Sequence, residues 1–82
     1  MKSNMAEIIL EYEGKTIKRK FPKSTVFTNL KNLCVRLFKI DGDALINFYL
    51  KNQDKEELIE DETITLQSLN LPPEQIILIK KI

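Results

Sequence analysis

The sequence predicts an α+β fold in which a mixed sheet of four to five strands wraps around one helix. Three observations carry this. Residues 24–40 (STVFTNLKNLCVRLFKI) have helical periodicity, and short runs of β-formers flank them on both sides. The chain has 82 residues, 43% of them hydrophobic, which suffices for one small core and not for two.

A turn of about 100° per residue sets Val26, Phe27, Leu30, Leu33, Cys34, Leu37, Phe38 and Ile40 on one broad apolar face, with only Val35 off it. A helix cannot bury so wide a stripe by itself, so the flanking strands must supply the surface it packs on. Ser24 or Thr25 is expected to cap the first turn through a hydroxyl, without a capping box, and Asp41-Gly42 to stop the helix.

Residues 1–4 are polar and unpatterned and are expected to be a frayed start or an expression remnant, leaving 5–82 as a single domain. Residues 6–12 (AEIILEY) form a first strand, Glu13-Gly14 a turn and 15–21 (KTIKRKF) a second strand. In that second strand Ile17 and Phe21 face one side with Arg19 between them, and Lys18 and Lys20 face the other. So charged a strand suits a sheet edge.

Beyond the helix, residues 44–50 (ALINFYL) read as a third strand whose inward set is either Leu45 and Tyr49 or Ile46, Phe48 and Leu50. Residues 51–56 read as a polar connection, Leu58-Ile59 as a very short strand, and Glu60-Asp61-Glu62 as an acidic turn. Residues 63–71 should hold one helical turn with Leu66 and Leu69 three apart. After Pro72-Pro73, residues 76–82 close as a strand with Ile76 and Leu78 on one face and Ile77 and Ile79 on the other. A helical crossover lets this last strand lie in the middle of the sheet, parallel to the first.

Residues 1–40 carry nine Lys or Arg against three Glu, and 41–82 carry four Lys against nine acids, so the halves differ in sign although the net charge is +1. A dipolar molecule is expected. One cysteine and no histidine exclude an internal disulfide and argue against a zinc site, which fits a reducing, cytoplasmic setting. No apolar run reaches the roughly 18 residues of a membrane span. Cys34 sits mid-face with no base to activate it and reads as a buried thiol. Glu56, Glu57, Glu60, Asp61 and Glu62 lack the alternating ligand loop of a calcium hand and read as a solvated turn. No exposed aromatics interleave with Lys15, Lys18, Arg19, Lys20 and Lys23, which argues against nucleic acid and leaves edge protection or an acidic protein partner. No catalytic triad, phosphate-cradling loop or paired-carboxylate cleft can be assembled, so neither an enzyme nor a cofactor is expected.

The strand and helix order resembles the ubiquitin-like β-grasp. Residues 58–82 (LIEDETITLQSLNLPPEQIILIKKI) are similar to ubiquitin's acidic turn, helical turn and final apolar strand, and EGKTI at 13–17 to its first turn. The resemblance places a receptor-contact patch at Tyr12, at Phe48 or Asn47 depending on register, and at Ile79. If Phe48 points outward, Phe48, Ile77 and Ile79 form an exposed apolar patch; ordinary core packing is the alternative. A conjugated modifier would need a Gly-Gly tail, whereas this sequence ends Lys80-Lys81-Ile82, so a free modifier is the lesser expectation.

Residues 21–50 (FPKSTVFTNLKNLCVRLFKIDGDALINFYL) resemble the C-terminal ubiquitin-like domain of the tubulin-folding cofactor E family. Pro22-Lys23-Ser24 leads into the helix, Arg36-Leu37-Phe38-Lys39-Ile40 ends it, and Leu45-Ile46-Asn47-Phe48-Tyr49 supplies the strand. The cofactor B family carries such a domain at its opposite end, and motifs this short do not separate the two; an end at Ile82 suits a C-terminal domain. The resemblance implies a non-catalytic interaction module of a cytoplasmic, cytoskeleton-associated tubulin chaperone, preceded by CAP-Gly and leucine-rich-repeat regions. Its partners would be α-tubulin and other tubulin cofactors. Tyr12, Phe48, Ile77, Ile79, Lys15, Lys18 and Lys20 are the candidate contact residues. Docking to proteasome or ubiquitin receptors is the alternative.

Overall fold

The computed structural model describes residues 4–82; residues 1–3 of the expected frayed start lie outside the described residues. Strand β1 (Met5–Tyr12) turns back into β2 (Lys15–Pro22) through Glu13 and Gly14, whose φ angles of 48° and 81° are those of a two-residue type I′ hairpin. A Cβ on Gly14 would meet nothing within 4 Å, so the turn needs its conformational freedom and not its small size.

The chain then enters α1 (Phe27–Leu37), followed by β3 (Ile46–Asn52), β4 (Lys55–Leu58), a 3-10 turn (Leu66–Leu69) and β5 (Gln75–Lys81). The sheet order is β2-β1-β5-β3-β4. β5 is central and parallel to β1, and the other pairings are antiparallel. The expected edge position of the lysine-rich second strand is observed.

α1 keeps its place by different means from those expected. No hydroxyl caps it: the N-cap is Val26, and the first N–H groups donate to carbonyls from a distant loop, Phe27 to Ile64 at 3.1 Å and Thr28 to Glu62 at 3.0 Å. Those bonds satisfy orphan donors and tie the helix start to the loop. The stop comes before Asp41-Gly42. Lys39 takes φ 52°, its N–H reaches the Arg36 carbonyl at 3.4 Å, and Ile40 donates to Val35 at 2.9 Å. These are the two bonds of a Schellman motif, with lysine in glycine's usual place. Of the expected apolar face, Phe27, Leu30 and Cys34 are fully buried, whereas Leu33 is 36% exposed; Val35, expected off that face, packs against the core at its rim.

β3 resolves the open choice of inward residues in favour of Ile46 and Phe48, with Leu50 packed against the core. The stretch expected to be a polar connection completes β3 and starts β4 through a turn with Gln53 at φ 52°, so the short strand lies at Lys55–Leu58 and not at 58–59. Lys55, Glu56 and Glu57 are poor strand formers singly, and pairing with β3 overrides that preference. Ile59, just past the strand, is buried and donates its N–H to Phe48 at 2.9 Å. The 3-10 turn matches expectation: Thr65 accepts from the Ser68 N–H at 3.3 Å, and Leu66 is buried.

Candidate functional site

The two faces of the sheet divide the candidate contact residues. Strand periodicity of two and the observed register turn Ile8, Leu10 and Tyr12 of β1, Ile46 and Phe48 of β3, and Ile77 and Ile79 of β5 toward α1. Phe48 and Ile77 are 0% exposed and Ile79 1%, and the Phe48 ring lies 5.6 Å from that of Phe27. Tyr12 is 6% exposed, with its ring 5.6 Å from Phe38. An exposed apolar patch at Phe48, Ile77 and Ile79, with Tyr12 beside it, is therefore corrected: these side chains are core. The patch required Phe48 to point outward, and the register sends Asn47, Tyr49 and Lys51 out instead.

What the sheet shows on the side away from α1 is a short apolar strip inside a charged frame. Two rows cross the strands there. Lys18, Ile9, Ile76, Lys51 and Glu56 are successive neighbours in one, and Thr16, Glu11, Leu78, Tyr49 and Leu58 in the next. Ile9, Ile76 and Tyr49 are half-buried, Leu58 is exposed and Leu78 is covered by its neighbours. Sequence periodicity already paired Ile76 with Leu78; adding Ile9 and Tyr49 required the register.

Ion pairs frame the strip. The Lys51 Nζ lies 3.4 Å from Glu11. Lys80 lies 2.6 Å from Glu56 and 5.0 Å above the Tyr49 ring, and its hydrogen bond with Glu56 raises its pKa. Lys18 contacts Glu74 at 2.6 Å and Glu7 at 3.3 Å, so its pKa is raised and that of Glu74 lowered, chiefly by their shared hydrogen bond. Lys18 is thus largely engaged within the molecule. Lys15 and Lys20, like Arg19 and Lys23, are exposed and have no acid within ion-pair distance among the described residues.

The acid run has structural work. Asp61 accepts from the Thr63 hydroxyl at 2.5 Å and its N–H at 2.9 Å, which holds its carboxyl below the usual range, and Glu62 lies 3.3 Å from Lys31. Among the described residues no three metal-ligating side chains come together, and no helix is long and apolar enough to cross a membrane. Cys34 is 0% exposed, and burial pushes its thiol up to about 12, so at neutral pH the nucleophilic thiolate is scarce. Sequence reasoning missed Gln75. Buried at 4% exposure, its Nε2 donates to the carbonyls of Lys51 at 3.1 Å and Ile76 at 2.9 Å, joining the start of β5 to the end of β3.

No protein-family model and no curated protein sequence matches the chain. Among solved structures it is similar to the C-terminal ubiquitin-like domain of mouse tubulin-specific chaperone E, with TM-score 0.73 and 15% identity over 96% of this chain and 88% of that one. A ubiquitin-like domain from tubulin-binding cofactor B gives TM-score 0.73 and 14% identity over 96% and 91%. The UBL domain of yeast Ddi1 gives TM-score 0.73 and 18% identity over 99% and 93%. In order, register and overall shape, the chain is a ubiquitin-like β-grasp domain.

Proposed function

We propose that the chain is a non-catalytic protein-interaction module of a tubulin-folding cofactor, acting in the cytoplasm on α-tubulin or on other tubulin cofactors. The observation that carries this reading is the domain-for-domain likeness to the tubulin chaperone E and cofactor B domains, together with the helix-ending and strand motifs at 36–40 and 45–49. The contact surface is the outer face of the sheet. Ile9, Tyr49, Ile76 and Leu58 supply apolar area, and the exposed lysines of β2 steer acidic partner surfaces into encounter.

Titrating tubulin heterodimer into the chain at rising salt tests both parts. Affinity should fall with ionic strength, because exposed charges are screened within about 10 Å at 0.1 M. Salt-independent affinity removes the steering role, and absence of binding at low salt removes the reading.

Docking to proteasome or ubiquitin receptors is the second reading, supported by the apolar strip on the outer face and by the likeness to the Ddi1 domain. Capture by a purified proteasomal receptor that is lost in Ile76→Asp, with tubulin not bound, would decide for it.

A further inference from the structure

The sheet has two open borders of opposite charge. β2 forms one, β4 the other, and among the described residues no strand pairs with the far side of either. β2 carries Lys15, Lys18, Arg19 and Lys20, and β4 carries Glu56 and Glu57, with Glu60 and Asp61 just beyond. All four residues of β4 are exposed, as are six of the eight in β2. Unpaired strand edges are templates for another strand.

Strand direction adds a geometric condition. β1 and β5 run one way, β2 and β3 run against them, and β4 runs with β1. β2 and β4 therefore point in opposite directions on opposite borders. A second copy, shifted sideways in the same orientation, brings its β2 antiparallel to β4 of the first and keeps both helices on one side of the joined sheet.

One register satisfies the charges. Arg19 shares a face with Ile8 and Glu57 with Leu50, both on the helix side, while Lys20 shares a face with Glu7 and Glu56 with Lys51, both on the outer side. Setting Arg19 opposite Glu57 places Lys20 opposite Glu56, two opposite-charge pairs on consecutive residues. Sliding the strand by two residues keeps the faces but is poorer: one shift leaves only Lys18 opposite Glu60, beyond the end of β4, and the other sets Lys18 against Glu56 and Lys20 against Asp54 but opposes Arg19 to Lys55. Like edges repel, β2 against β2 and β4 against β4, and directly opposed like charges destabilise a strand pair. The lysines that guard β2 against its own kind thus select an acidic edge. A net charge of +1 leaves little overall repulsion between copies.

We infer that this chain adds to itself head to tail, with β2 of one copy extending the sheet at β4 of the next through Arg19 to Glu57 and Lys20 to Glu56. The contact is heterologous, so it propagates into short open chains rather than closing as a two-fold dimer. It uses the sheet borders and stands independently of which partner the outer face binds.

Sedimentation velocity of the 82-residue chain at low salt, over a hundredfold range of concentration, should show mass rising beyond dimer, and 0.5 M salt should return it to monomer. Arg19→Glu with Lys20→Glu, and separately Glu57→Lys alone or with Glu56→Lys, should each remain monomeric and folded by circular dichroism. An equimolar mixture of the basic-edge and the double acidic-edge variants should assemble again into alternating chains, because the two intact borders match and so do the two reversed ones. Reversing both borders in one chain should restore assembly. A monomeric parent at every concentration overturns the inference. So does a parent that stops at dimer, or a mixture of the two variants that stays monomeric.

Discussion

The two faces of one sheet obey different rules although they alternate residue by residue along the same strands. Phe48 and Tyr49 are neighbours in β3. One is fully buried against Phe27, and the other lies half-exposed under the Lys80 ammonium. Ile77 and Ile76 divide in the same way on β5. The inner face holds the fold together by close packing on α1, and the outer face is set by cross-strand neighbours and ion pairs. A side chain's chemical type therefore says less about its role than the face it occupies.

The largest effect that could break this contrast is truncation on the inner face. Phe48→Ala should cost about 3–5 kcal/mol, as loss of a buried aromatic does. Tyr49→Ala, one residue away, should cost about 1 kcal/mol or less, typical of a surface change. Urea titration of both variants measures the gap, and equal losses would deny the assignment of faces.

A second, smaller effect is read through pH. Burial raises the Cys34 thiol from an ordinary 9.0 to about 12. A raised folded pKa means that the native state holds its proton longer than the unfolded chain. The contribution to stability is complete below pH 9.0 and is lost as pH rises toward 12, by at most about 1.4 kcal/mol per unit. Comparing the pH dependence of urea midpoints for the parent and Cys34→Ala isolates it: the slope above pH 9 should be shallower in the variant. A thiol reagent at pH 8 should label native Cys34 far more slowly than the urea-unfolded chain.

The smallest effect belongs to the outer face. Glu74, held low by Lys18, contributes fully above its ordinary pKa of 4.5 and fades as pH falls through its lowered value, whereas Lys18 contributes fully below 10.5 and fades as pH rises through its raised value. Both groups are solvated, so Lys18→Met should leave the urea midpoint at pH 7 nearly unchanged. A large shift there would mean that the outer face shares in holding the fold.

Much of the fold was legible because local patterns and global order agree. The helical stripe, the Glu13-Gly14 turn, the charged edge strand and the central last strand all follow from periodicity and connection rules. What escaped the sequence depends on partners distant along the chain. The helix start is satisfied by the carbonyls of Glu62 and Ile64, which no local cap signal announces. β4 forms from Lys55, Glu56 and Glu57 because β3 offers a ladder. The contact residues depend on such distant partners most: ALINFYL is apolar on both sides, which leaves its register open, and of the two alternatives for Phe48, Ile77 and Ile79 the structure takes core packing. Lys18 looked free in the sequence because Glu74 lies 56 residues away.

The central claim is that the face turned away from α1 grips a protein partner while the helix-facing residues only hold the fold. Amide chemical-shift mapping of the labelled chain titrated with tubulin heterodimer, at low salt and at a chain concentration too dilute for self-addition, tests it most directly. Shifts or line broadening should gather at Ile9, Tyr49, Leu58, Ile76 and Leu78 and along the Lys15 to Lys20 strand, leaving the exposed side of α1 unmoved. Perturbation confined to Thr28, Asn32 and Arg36 on the helix, or none at saturating tubulin, would contradict it.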